Sequence, residues 1–338
     1  MLRVRPICAA DEQAFFKLAE LSGPGFTSLP NDETLLRSRI TFSEKSFALA
    51  LEKELGEQGY LLVIEDMDSG SIVGTSAVKT GVGLSKPFFS YKLFSITQVS
   101  KATERKFDMD VMILVNEYAG ATEVGTLFVH PKYRGGGTGS LIARSRYLLI
   151  ATKPERFGRN ILSELRGVVH ADGSSPFFEH LAKTFFQMSF EEADYLSGTT
   201  DKQFILDLMP KYPIYVDLLA PEAQAVIGKT HKDGMGARRL LEFEGFRYER
   251  VVDIFDGGPT MSAPRDDLRT VKTSQTYIAQ SGEPGPVRAL VSNEKINGFR
   301  ACAAMVNPQP DEGKITVAAE VLDALEIAPG DPIRFVEN

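Results

Sequence analysis

The stretch VGTLFVHPKYRGGGTGSLIARSRYLLIA (124–151) limits what this chain can fold into more than any other. The residues up to Val129 read as a strand. Leu141, Ile142, Ser145, Leu148 and Leu149 form one stripe of a helix over 138–151. Between them stand Arg134, Gly135, Gly136, Gly137, Thr138 and Gly139, so the strand passes directly into the helix through glycine-rich backbone. Glycines let successive N–H groups turn toward one point, and a helix N-terminus adds about half a positive charge. Such a turn is an anion site, and a pyrophosphate fits it. This loop carries no Gly-Lys-Ser/Thr for a P-loop, and its spacing is not Gly-x-Gly-x-x-Gly.

The anion must be held by this local geometry, because the chain as a whole carries no basic field. Lys and Arg number 38 against 45 Asp and Glu, a net charge of -7, which argues against a nucleic-acid binder. Four histidines, at 130, 170, 180 and 231, and two cysteines, Cys8 and Cys302, show no zinc-ligand spacing. No metal is expected, and both thiols read as small buried groups of a reducing compartment. The opening MLRVRPICAADEQ places charges where a signal peptide needs an apolar stretch. Runs such as VMILV and YLLIA are far short of a membrane span. A cytoplasmic protein without membrane contact is expected.

At about 150 residues per domain, 338 residues suggest two domains. Residues 2–8 read as a strand, with Asp11 placed to cap a helix that carries Phe15, Leu18 and Ala19 on one face. Two helices are expected at 32–41 and 44–55, the second through Phe47, Ala48, Leu51 and Leu55. YLLVIED and SIVGTSAV form a hairpin around Asp66–Gly70. Residues 81–110 lack periodicity and read as an insertion over the sheet. VMILV (111–115) and EVGTLFV (123–129) then flank a turn, and ILSELRGVV (161–169) is a further strand. A helix over 236–244 stops at Gly245. Gly, Pro and Asp cluster in DGGPTMSAPRDD (256–267), which places a boundary near 264. The expected division is a core over 1–264, with insertions, and a small β-rich domain over 265–338.

Val129-x-Pro131-x-Tyr133-Arg134-Gly135-x-Gly137-x-Gly139 after a strand resembles the acyl-CoA loop of the GNAT superfamily of N-acyltransferases. The opening LRVRPICAADEQAFFKLA, the EDMDSGSIVG hairpin and ARRLLEFEGFRYE resemble other parts of that fold. The resemblance narrows in FTSLP (26–30), SELRGV (163–168), DGSSPFFEHLAKTFF (172–186), DLMPKYPIYVDLL (207–219), EAQAVIGKTH (222–231) and DIFDGGPT (253–260). These resemble the arginine N-succinyltransferase family, over nearly the whole chain. It implies an α/β (α+β) fold with a GNAT-like mixed sheet flanked by helices. It also implies transfer of succinyl from succinyl-CoA to the α-amino group of L-arginine, the first step of a route of arginine catabolism. Succinyl-CoA would be a co-substrate, with no permanently bound cofactor. Partners would be a second copy or a paralogous subunit. Two other roles stay open: a subunit of an arginine/ornithine pair that also takes L-ornithine, and a CoA-binding subunit without catalysis.

The chemistry calls for a proton-transfer group, an oxyanion donor and holders for two charged substrates. The resemblance places succinyl-CoA at Leu127, Val129 and the loop Arg134–Gly139, with a backbone N–H near Leu127 aimed at the thioester carbonyl. His231, in a Gly-rich link between two helices, titrates near neutrality, and the resemblance makes it the proton donor. Lys232-Asp233 follow it where the family pattern often carries proline. His130 reads as structural, and His170 and His180 as packing or surface residues. Glu123 shares strand parity with Gly125 and Leu127 and is the second candidate base. Glu164 and Arg166 point to one face of a strand. They are placed to meet the guanidinium and a carboxylate respectively, or to pair with each other. The SSPFFEHLAKTFF tract reads as lid, partner surface or substrate wall.

Overall fold

A computed structural model describes residues 1–23, 28–50, 56–199 and 202–338, without the side chains of 194, 198 and 199. In chain order the elements begin with β1 (Leu2–Pro6), α1 (Glu12–Ser22), α2 (Glu33–Ala48), β2 (Gln58–Asp66) and β3 (Ser71–Val82). Then come β4 (Ser90–Ser100), β5 (Arg105–Val115), β6 (Ala121–Val129), α3 (Thr138–Thr152) and β7 (Asn160–Glu164). The next are α4 (Lys183–Phe186), α5 (Phe190–Thr199), α6 (Gln203–Leu208), β8 (Ile214–Tyr215), α7 (Pro221–Gln224), α8 (Met235–Glu244), β9 (Arg247–Asp253) and β10 (Pro259–Pro264). The chain closes with α9 (Arg269–Thr273), β11 (Gln275–Ser281), β12 (Val287–Asn293), β13 (Ala301–Gln309), β14 (Lys314–Val317), α10 (Ala319–Leu325) and β15 (Pro332–Glu337). This is the expected α/β mixture with a β-rich C-terminal part.

Contacts divide the chain into two compact units. One combines Met1–Gly81, Thr122–Ile161 and Pro264–Asn338; the other combines Val82–Ala121 and Leu162–Ala263.

In the first unit the strand order β13-β1-β2-β3-β6 forms one part of the sheet. β1 and β2 pair antiparallel with Val4 opposite Ile64, and the expected hairpin pairs Tyr60 with Val78. Phe15, Leu18, Leu36, Ile40, Leu61, Val63 and Phe128 make the core under α1 and α2. Asp11 does stand at the N-terminus of α1, but its carboxylate faces back to the Cys8 N–H (2.9 Å) and to Arg5 Nη1 (2.7 Å). The two helices expected at 32–41 and 44–55 are one helix, α2, over the described residues. Thr41 and Ser43 do not break it, because the hydroxyls of Ser43 and Ser46 face inward. There they accept the N–H groups of Leu61 (2.9 Å) and Gly59 (3.0 Å), which ties α2 to β2. Leu51 and Leu55 of that expectation, and Phe26-Thr27 of FTSLP, lie outside the described residues.

The C-terminal strands close on themselves. β13 pairs with β14, β14 with β11, β11 with β15, β15 with β12 and β12 with β13, a five-strand barrel. Cys302 is buried inside it, where loss of water pushes the thiol up to about 12. Cys8, by contrast, is exposed rather than buried as expected, because it follows the end of β1.

The second unit has the order β7-β10-β9-β4-β5-β8. Residues 81–110 are not an insertion over the sheet; most of them build β4 and β5, which pair continuously from Ser90↔Val115 to Ser100↔Arg105. The mixed composition reflects a ribbon whose outer half is solvated on both sides, so a period-2 pattern never develops. β5 accordingly pairs with β4 and β8. The tract SSPFFEHLAKTFF has an exposed side at His180, Lys183 and Thr184 and a buried apolar side. Phe177, Phe178, Leu181 and Phe186 are buried against Tyr91, Val252, Ile254 and Phe255. The segment 256–267 contains β10, buried from Pro259 to Ala263. Its glycines mark a buried turn, and the division between the two units falls just after it, between Ala263 and Pro264.

Candidate active site

The residues singled out in the sequence fall into two groups, one in each unit.

In the first unit, β6 shows the expected alternation, with Glu123, Gly125 and Leu127 partly open and Val124, Thr126 and Phe128 buried. One residue departs from strand geometry. Thr126 has φ 53°, a left-handed conformation that costs a side-chain-bearing residue about 1–2 kcal/mol. Its hydroxyl donates to the Ser28 carbonyl at 3.2 Å. Sequence parity could not reveal this change of backbone direction immediately before Leu127. Glu123 Oε2 meets Lys79 Nζ at 3.2 Å. Arg39, on α2, also interacts with Glu123 and donates to the Ser28 carbonyl at 2.7 Å. Burial lowers the pKa of this guanidinium, while Glu123 and Asp32 oppose the shift. A single arginine in a helix carries no sequence signal of its own, so only the fold brings Arg39 to Glu123.

At the end of β6, the Val129 carbonyl accepts from Arg134 Nε at 3.0 Å, and the guanidinium lies over the Phe128 ring. His130 Nδ1 accepts the Lys132 N–H at 3.2 Å. Gly135, Gly136 and Gly137 all have positive φ (98°, 58° and 93°), and Gly137 is the N-cap of α3. Three successive left-handed residues need glycine. The Thr138 N–H donates to Gly135 O (3.1 Å) and Leu141 N–H to Gly137 O (2.9 Å). The N–H groups of Gly139 and Ser140 have no acceptor among the described residues. Exposed glycine backbone, a helix dipole and two open donors form a place suited to hold an anion.

In the second unit the strand expected over 161–169 ends at Glu164. Leu165 N–H still donates to Pro259 O (3.1 Å), but Gly167 N–H is taken by Asp256 Oδ2 at 2.7 Å, which ends the ladder. Glu164 and Arg166 keep the common outward side, with Leu165 and Gly167 buried. The Arg166 carbonyl accepts the His231 N–H at 2.8 Å, so the chain places this histidine against the arginine.

His231 caps a 3-10 turn at Lys232–Gly234 that leads into α8. Its Nδ1 accepts the Asp233 N–H at 3.3 Å and lies 3.5 Å from Asp233 Oδ2. In the neutral ring the proton is therefore on Nε2. The side chain is only 12% exposed. Burial lowers its pKa below the ordinary 6.5; Arg166 and Lys232 add to that effect and Asp233 opposes it. Asp233, two residues after His231, thus caps the ring through its N–H.

Sequence reasoning also missed the support beneath this pair. Asp256 accepts from Gly167 N and, through Oδ1, from Gly258 N at 2.8 Å. Gly257 O accepts the Gly228 N–H at 2.8 Å. A Cβ at Gly167 would lie 2.4 Å from Asp256 O, so backbone meets backbone here. The DGG turn holds both the segment that carries Arg166 and the one that leads to His231. Burial, followed by the neighbouring Asp253 charge, pushes the Asp256 carboxyl well above the usual range.

A strand that runs through left-handed glycines into an open helix N-terminus is, on an α/β fold, an arrangement able to hold an anion. Comparison with known proteins narrows that class. Residues 2–270 match the family described as arginine N-succinyltransferase beta subunit, and residues 269–337 match its C-terminal domain. The arginine N-succinyltransferase of Citrobacter koseri is 40% identical over 339 residues, covering 99% of this chain and 97% of the relative. That of an Enterobacter species is also 40% identical, with the same coverage. The solved structure of arginine/ornithine succinyltransferase subunit AI from Pseudomonas aeruginosa superposes with a TM-score of 0.90. It is 32% identical and covers 100% of this chain and 98% of that one. The chain belongs to the arginine N-succinyltransferase family.

Proposed function

We propose that this chain transfers succinyl from succinyl-CoA to the α-amino group of L-arginine. The observation that carries the reading is end-to-end likeness to enzymes of that name, at 40% identity over 99% of the chain. The loop Arg134–Gly139 is assigned to the CoA pyrophosphate, with Leu127 and Val129 along the acyl-pantetheine arm. In the reaction the α-ammonium loses a proton, its nitrogen attacks the thioester carbon, the C–S bond breaks and the CoA thiolate takes up a proton. A backbone N–H at Leu127 is the assigned oxyanion donor, a contribution worth about 3 kcal/mol in other acyl-transfer enzymes.

His231 is assigned to proton transfer. Its depressed pKa keeps the ring neutral at pH 7, with Nε2–H free to face substrate while Nδ1 is capped. Accepting the amine proton at Nε2 requires Nδ1 to carry the ring proton instead, and Asp233 Oδ2 is the group that would receive it. Glu123 is the alternative base. Glu164 and Arg166 are assigned to the guanidinium and a carboxylate.

The test is thiol release from succinyl-CoA with a panel of amino acids. Release with arginine supports the proposal, and none with any amine overturns it. The subunit named for both arginine and ornithine, at TM-score 0.90, favours a second reading in which ornithine is also used. Comparable release with ornithine would establish that wider specificity, and a sizing column would report whether the chain acts with a second copy or a different subunit.

A further inference from the structure

The glycine loop has a cation beside it that its own segment does not supply. A Cβ at Gly137 would lie 3.4 Å from Arg288 Nη2, so this guanidinium stands against the N-cap of α3. Arg288 belongs to β12 of the barrel, where it pairs with Met305. Its backbone is held, because its carbonyl accepts the Asn338 N–H at 3.0 Å. The neighbouring strand is tied to the same helix. Arg144, on α3, donates to Asn338 Oδ1 at 2.7 Å and to Glu337 O at 3.3 Å, and Glu337 pairs with Ala289 in the barrel. The place of β12 relative to the start of α3 is thus set by contacts on both sides. The Arg288 side chain itself is exposed and makes no hydrogen bond or ion pair among the described residues.

A free guanidinium at this position has a clear physical use. The open N–H groups of Gly139 and Ser140 offer two donors, but an acyl-CoA brings several negative charges to a chain whose own net charge is -7. Arg134 is partly committed to the Val129 carbonyl. A second arginine supplies forked donors that match phosphate oxygens.

We propose that Arg288 is a phosphate-binding residue of the acyl-CoA site, contributed by the C-terminal barrel. This rests on the assignment of the loop to CoA. The pyrophosphate is the expected partner, since Gly137 is the N-cap.

The test compares the full-length protein with Arg288→Gln and Arg288→Lys, using CoA and dephospho-CoA in calorimetry. Arg288→Gln should weaken CoA about 10- to 100-fold, the range of one charge-assisted contact, and should flatten the dependence of affinity on salt. Arg288→Lys should recover part of the loss. In turnover, KM for succinyl-CoA should rise by a similar factor with kcat nearly unchanged, a split that a purely structural role would not produce. Equal losses for both ligands identify the pyrophosphate. A loss confined to CoA identifies the 3′-phosphate, and either result supports the assignment. Unchanged binding of both ligands by Arg288→Gln, with wild-type binding intact, overturns it and leaves the loop reading standing. Wild-type protein that binds no CoA overturns both.

Discussion

His231 shows how much a side chain depends on its backbone. Its N–H is held by the Arg166 carbonyl and its Nδ1 by the Asp233 N–H, so Nε2 is the atom presented. Positioned acid-base groups contribute about 10²–10⁴-fold, and His231→Ala should lower kcat by that order. Binding of CoA should stay close to wild type, because the loop is a separate element. His130→Ala, which removes only a local turn contact, should change kcat little; a His231→Ala enzyme with near-normal kcat from pH 6 to 9 would shift the assignment to Glu123. The ring's titration gives a second expectation. Its pKa lies below 6.5, chiefly through burial and then through Arg166. Because the folded value is depressed, this group's contribution to stability is present above 6.5 and is lost as pH falls. An NMR titration should place the His231 midpoint under 6.5, and Arg166→Gln should move it upward. A midpoint that does not move would show that the two groups are electrostatically independent.

At the scale of elements, one turn in each unit stands out, and glycine is required in each for a different reason. Gly137 needs its left-handed backbone conformation, φ 93°. Gly137→Asp adds a side chain at φ 93° and a negative charge, and calorimetry on the folded variant should show CoA affinity largely lost. Retained affinity would remove the loop from the site. Gly167 needs space, since Asp256 O lies 2.4 Å from where a Cβ would be. Gly167→Ala must push backbone from backbone, and overpacking of this kind costs about 1–3 kcal/mol. A lower urea midpoint is expected, and an unchanged one would mean that the 165–167 and 256–258 segments are not locked together. Strand and helix identity were largely legible, since α1, α3, α8 and the β2–β3 hairpin follow apolar periodicity and glycine stops. The β4–β5 ribbon was not. Its outer residues face water on both sides, so no apolar alternation records the pairing.

Across the whole chain, the contacts do not follow sequence order. Residues 264–338 group with 1–81 and 122–161. The physical links are β1 pairing with β13, Arg3 opposite Cys302, and the Arg144 contacts to Thr270, Glu337 and Asn338. A chain truncated after residue 264 should therefore lose an edge partner of β1 and the acceptors of a buried arginine. It should express as aggregated or unfolded protein. A soluble fragment with a cooperative melt would show instead that 1–264 is an independent folding unit.

The sequence by itself determined the local chemistry. It specified the strand, the three glycines and the helix of the anion loop, and the histidine in a glycine-rich link. These depend on near neighbours, whose spacing is readable. Only the tertiary structure decided what lies under and beside them. It set the Asp256 carboxyl beneath Gly167, Arg166 against the His231 backbone, Arg39 near Glu123, and Arg288 at the cap of α3. Each of these joins residues far apart in the chain, and no periodicity or local spacing encodes such a meeting.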